Sequence, residues 1–90
     1  ISFTGGTVTG KTIAATAAPL FKKLSLELGG KNPNIIFSDC DFEQAVSTSV
    51  HSSFSNQGEI CLCGSRILVE QSLYQKFTDA FVKRTRELVV

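Results

Sequence analysis

The chain has 90 residues, 42% of them hydrophobic and 19% charged, with a formal net charge of +1. This is an ordinary globular composition, which excludes the disordered and collagen-like classes. A near-neutral balance gives no electrostatic case for nucleic acid or an anionic membrane as partner, and no apolar run approaches the roughly 18 residues of a membrane span.

The first residues carry no signal-peptide pattern. Methionine is absent, and the chain opens on Ile1-Ser2-Phe3, which reads as mid-strand. It closes on Leu88-Val89-Val90, which reads as mid-helix. The expectation is an internal piece of a longer protein. A chain of this size buries only about 60% of its unfolded surface, so it is not expected to fold or act alone. Cys40, Cys61 and Cys63 form an odd set without framework spacing. That argues for a reducing, cytoplasmic compartment and against a disulfide scaffold.

Residues 1–3 read as the tail of a strand and Thr4-Gly5-Gly6-Thr7 as a turn. Thr7 or Thr9 is placed to cap a helix through residues 13–18, which Pro19 stops. Strand, glycine turn and helix N-terminus in that order suit a phosphate group, because free N–H groups and the helix dipole meet there. Leu24, Leu26 and Leu28 alternate with Ser25 and Glu27, a strand with leucines on one face. Gly29-Gly30 breaks it, and residues 34–37 form a short apolar strand.

Ser38-x-x-Asp41 fits a helix-capping pattern. Phe42, Ala45, Val46, Val50 and Phe54 then share a helical face, and the helix is expected to end near Ser55-Asn56. Residues 66–70 read as a strand. Ser72-x-x-Gln75 offers a second capping box, and Leu73, Phe77, Ala80, Phe81 and Leu88 line the last helix. The order is β-α-β, then β-α-β-α. That is an α/β fold, with a boundary at Gly29-Gly30 dividing residues 1–30 from 31–90.

Three motifs carry chemistry. Gly5-x-x-x-x-Gly10-Lys11-Thr12 matches the Walker A pattern letter for letter, so a P-loop nucleotide-binding module is one reading. Glu27 is a carboxylate in an otherwise apolar strand. It is either a water-facing edge residue or, beside the glycine break, a partly buried general base with a raised pKa. Cys61, in Asn56-Gln57-Gly58-Glu59-Ile60-Cys61-Leu62-Cys63, follows a helix end and a glycine. Buried filler, metal ligand and exposed nucleophile are its three readings. The Cys-x-Cys spacing lacks the histidine or acidic partners of a zinc set, and a catalytic thiol needs a base or cationic cofactor to activate it. Cys40 and His51 read as structural.

Taken together, these pieces resemble the aldehyde dehydrogenase superfamily. Phe3-Thr4-Gly5-Gly6-Thr7-Val8-Thr9-Gly10 is similar to its coenzyme-loop motif. Leu26-Glu27-Leu28-Gly29-Gly30-Lys31-Asn32-Pro33 looks like its glutamate signature, and Phe54-Ser55-Asn56-Gln57-Gly58-Glu59-Ile60-Cys61 looks like its cysteine signature. The resemblance runs the whole length. It implies the end of a Rossmann-like NAD-binding domain over residues 1–30 and the start of an α/β catalytic domain over 31–90.

It further implies an aldehyde as the small-molecule substrate and NAD as cofactor, with Cys61 as nucleophile and Glu27 as base. Gly5, Gly6, Thr9, Gly10 and Leu28 would then meet the coenzyme, and the full-length protein would be a homo-oligomer. Under it the Walker A match is a look-alike that serves the coenzyme's pyrophosphate. Gly6 departs from the more frequent Ser, Glu59 from Gln and Cys63 from Ala. Within the superfamily the motifs look most like the cytosolic 2-aminomuconic semialdehyde dehydrogenase branch, with betaine-aldehyde-type enzymes the nearest competitor. A non-catalytic oligomerisation piece that keeps the fold is a third reading.

Overall fold

A computed structural model describes residues 1–89. The chain divides into two compact units, Ile1–Gly30 and Lys31–Val90.

In the first unit, β1 (Ser2–Gly5) leads into α1 (Thr7–Ala17), a 3₁₀ turn Ala18–Leu20 holding Pro19, and β2 (Ser25–Leu28). The strands pair in parallel, Phe3 beside Leu26, Thr4 beside Glu27 and Gly5 beside Leu28. Parallel partners need a crossover, and α1 supplies it. Alternation puts Phe3, Leu26 and Leu28 on one face, half-buried, and leaves Thr4 and Glu27 on the other, exposed. The helix can lie close on the leucine face because residue 10 is glycine. A Cβ there would stand 2.6 Å from Leu28 Cδ2.

The expected turn over residues 4–7 contracts to Gly6 alone. Gly6 is the N-cap of α1, extended at φ −68° and ψ 144°, and no side chain caps the helix. Thr7 and Thr9 do not cap because both already lie inside the first turns.

The second unit repeats the pattern with a third helix: β3 (Pro33–Ile36), α2 (Phe42–Phe54), a 3₁₀ segment Ser55–Gly58, β4 (Arg66–Val69) and α3 (Tyr74–Arg86). β3 and β4 are parallel, with Asn34 beside Ile67, Ile35 beside Leu68 and Ile36 beside Val69. Ile36, Val46 and Phe77 form the buried core, joined by half-buried Phe42, Ile67, Val69 and Phe81. Phe42 meets Phe77 edge-on at 6.5 Å, and Phe77 stacks on Phe81 at 6.0 Å. Such contacts add about 0.5–1.5 kcal/mol per pair beyond area burial.

The helix ends differ from the capping patterns. Asp41 is itself the N-cap of α2, accepting from the Gln44 N–H at 3.1 Å. It does not act as the third residue of a box begun by Ser38, whose N–H instead donates to Glu70 Oε2 at 2.8 Å. No side chain caps α3. Ser72 Oγ donates to Glu70 and Gln75 Nε2 to Asp79. Leu88 falls beyond the end of α3 at Arg86, and the last residue of the expected helical run, Val90, lies outside the described residues. No helix among them is long and apolar enough to cross a membrane.

Candidate active site

Cys61 belongs to the second unit and sits on a turn after the C-terminus of α2. The approach is conformationally unusual. Asn56 (φ 49°, ψ 50°), Gln57 (φ 56°, ψ 19°) and Gly58 (φ 75°) follow one another in the left-handed region. That costs a non-glycine residue about 1–2 kcal/mol. At Gly58 a Cβ would also come within 2.9 Å of the Ser53 carbonyl oxygen, so glycine is required. Backbone held in costly regions tends to gather at functional sites, and these residues lead directly to the cysteine.

The turn itself is closed by the Cys63 N–H donating to Ile60 O at 3.0 Å. Cys61 is exposed on it, whereas Cys63 points inward, buried, its thiol 4.0 Å from Ser55 O. The two cysteines separate as an accessible thiol and a packing residue. Cys40 is half-buried against the core, and His51 is exposed with Nδ1 3.3 Å from Ser55 Oγ.

A set of small polar side chains holds the loop. Ser52 Oγ accepts from the Gly64 N–H at 3.0 Å, and Ser53 Oγ donates to Gly64 O at 3.2 Å. Asn34 Nδ2 donates to Ser49 Oγ at 2.8 Å, which satisfies the one fully buried serine. Asn32 Nδ2 donates to the carbonyls of both Cys61 and Cys63. Sequence patterning alone does not single out these residues for a role at the loop. The signal was there in part: Ser49, Ser52 and Ser53 recur in helical phase with Val46 and Val50, so α2 turns hydroxyls as well as apolar groups inward.

The other expected site residues lie in the first unit. Gly5 ends β1, Gly6 caps α1, Thr9 is exposed in its first turns, and Gly10 packs against Leu28. The first N–H groups of an α-helix have no partner within the helix, and space beside Gly6 is open, with no atom within 4 Å of where a Cβ would stand. An anionic group fits such a terminus. Glu27 is exposed on the polar face of β2, the water-facing one of its two expected settings. The Walker A reading also fails on geometry. A P-loop wraps phosphate with the residues between its glycines, but here Thr7–Gly10 are already helical, and Thr12 Oγ1 donates to Val8 O at 3.3 Å.

The profile of the aldehyde dehydrogenase family matches residues 1–90. The chain belongs to the aldehyde dehydrogenase family. It is 65% identical over 86 residues to the 2-aminomuconic semialdehyde dehydrogenase of Danio rerio, covering 96% of this chain and 18% of that protein. It is 55% identical over 87 residues to the Homo sapiens protein of that name, covering 97% and 18%. Among solved structures, a betaine aldehyde dehydrogenase from Staphylococcus aureus in complex with NAD+ superposes with a TM-score of 0.91 at 49% identity, over 96% of this chain and 17% of that one. The chain thus spans under a fifth of the length of these aldehyde dehydrogenases, and its α/β fold is theirs over that stretch.

Proposed function

We propose that the full-length protein is an NAD-dependent aldehyde dehydrogenase that oxidises an aldehyde to a carboxylic acid through a covalent intermediate on Cys61. The observation that carries this is the exposed thiol on a turn held by hydrogen bonds, reached through three consecutive left-handed residues. Cys61 as thiolate attacks the carbonyl carbon to give a thiohemiacetal, and its backbone N–H helps hold the oxyanion. NAD, when bound, supplies the hydride acceptor. The oxidised intermediate is a thioester on Cys61, and Glu27 takes a proton from the water that hydrolyses it. Splitting the oxidation into acylation and hydrolysis gives the two residues separate steps.

On this reading residues 1–30 end the NAD-binding domain and residues 31–90 begin the catalytic one. Gly5, Gly6, Thr9 and Gly10, at the start of α1, would hold NAD together with Leu28. The superposition on an NAD+ complex supports the choice of cofactor. Identity of 55–65% to 2-aminomuconic semialdehyde dehydrogenases supports 2-aminomuconate semialdehyde as the aldehyde. The protein acts in the cytoplasm, as a homo-oligomer. In the full-length protein, Cys61→Ser is expected to abolish aldehyde oxidation while NAD binding, followed by fluorescence titration, is kept. Unchanged turnover in that variant would sink the proposal.

A further inference from the structure

Asn32 makes two side-chain hydrogen bonds to the turn that carries Cys61. Its own backbone is fixed: Asn32 O accepts from the Arg66 N–H at 3.1 Å, where β4 begins beside β3. From that anchored position its half-buried side chain reaches residues 29 and 31 positions further along the chain. Both acceptors are carbonyl oxygens, Cys61 O and Cys63 O, the latter at 3.2 Å. The amide must therefore present its nitrogen, and its two hydrogens serve one carbonyl each.

The two carbonyls flank Leu62, so the contact fixes the peptide plane after Cys61 and the far side of the turn together. Cys63 O is held a second time by the Ser65 N–H at 2.9 Å. Beyond it Gly64 is tied to α2 through Ser52 and Ser53. On the near side, toward Cys61, the Asn32 amide is the strut, and the Cys61 thiol is exposed rather than packed.

We propose that Asn32 is a positioning residue for Cys61: its side-chain amide, anchored in the β3–β4 sheet, clamps the carbonyls of Cys61 and Cys63 and so sets the direction of the reacting thiol. The inference rests on the reading of Cys61 as nucleophile. Loss of the clamp frees the turn and lowers the fraction of time the thiol spends in attacking geometry, which reduces kcat without touching the groups that bind NAD.

The test uses the full-length protein with Asn32→Asp, Asn32→Ala and Asn32→Ser. Aspartate keeps the shape but replaces the donor by a charged acceptor facing two carbonyls, alanine removes the donor, and serine keeps a single one. Aldehyde turnover, NAD affinity, melting temperature and the pH profile of Cys61 alkylation by iodoacetamide are measured. With both bonds lost, kcat should fall roughly thirtyfold in Asn32→Ala and further in Asn32→Asp, with partial recovery in Asn32→Ser. NAD affinity should hold. The alkylation midpoint of Asn32→Asp should move to higher pH, because a negative charge now stands beside the thiol turn.

Wild-type turnover and alkylation in Asn32→Ala and Asn32→Ser, with Cys61→Ser inactive, overturns the clamp while leaving the nucleophile in place. Equal losses of kcat, NAD affinity and melting temperature overturn it too, since they reveal a merely structural residue. Full turnover in Cys61→Ser overturns the underlying reading instead.

Discussion

Thr4 and Glu27 are register partners on the exposed face of the first sheet, which bears on the role proposed for the glutamate. An exposed carboxylate keeps water at hand, which suits activation of a hydrolytic water more than protonation of a buried leaving group. Glu27→Gln is accordingly expected to slow the second half of the reaction and leave the first largely intact. Rapid mixing of the full-length variant with NAD and aldehyde should give a burst of NADH near one equivalent per site, followed by slow turnover. Loss of NAD binding without a burst would count against the assignment. The sequence made Glu27 a candidate through its motif and its place in the alternation. Its strand allowed both a water-facing and a partly buried setting, because alternation assigns a residue to a face but not what covers that face.

At the scale of elements, the order of strands and helices was readable, since each hydrophobic period is sustained over a whole segment. Helix starts were not. Ser38-x-x-Asp41 and Ser72-x-x-Gln75 both satisfy the capping pattern, but Glu70 draws Ser38 and Ser72 away from the helix ends. Which acceptor wins is a tertiary matter, invisible to a four-residue motif. Gly10 shows the converse, a local residue chosen by a distant one. Alanine at an α-helical glycine normally gains about 1 kcal/mol, but here its methyl would stand 2.6 Å from Leu28 Cδ2. Leu28 Cδ1 at 3.1 Å and Cγ at 3.4 Å would crowd it as well, so turning one methyl away does not relieve the contact, and overpacking of about 1–3 kcal/mol offsets the propensity. Gly10→Ala is expected to lower the urea midpoint of the full-length protein, whereas Gly6→Ala, in open space at φ −68°, is expected to change it little. A stabilised Gly10→Ala would show that α1 does not need its close approach to β2.

Over the whole molecule the two β-α-β units were legible from element order, yet the tie between the two strand-to-helix turns of the second unit was not. It depends on one side chain meeting a partner 32 positions away. Glu70, at the end of β4, accepts from the Ser38 N–H at 2.8 Å through one oxygen and from Ser72 Oγ at 3.0 Å through the other. The Ser38 backbone N–H first, then the serine hydroxyls, hold its carboxyl below the ordinary value of 4.5. These donors favour the ionised form, and in the unfolded chain they are absent. A depressed carboxyl contributes stability that is complete above its unfolded value and is lost as pH falls through the lower folded one. Glu70→Gln keeps an acceptor oxygen but no charge. The stability difference between wild type and variant, read from urea unfolding of the full-length protein, should therefore be constant above about pH 5.5. It should shrink steadily as the solution is acidified through 4.5 and below. A difference that stays the same down to pH 3 would mean that the charge on Glu70 contributes nothing to joining the two turns.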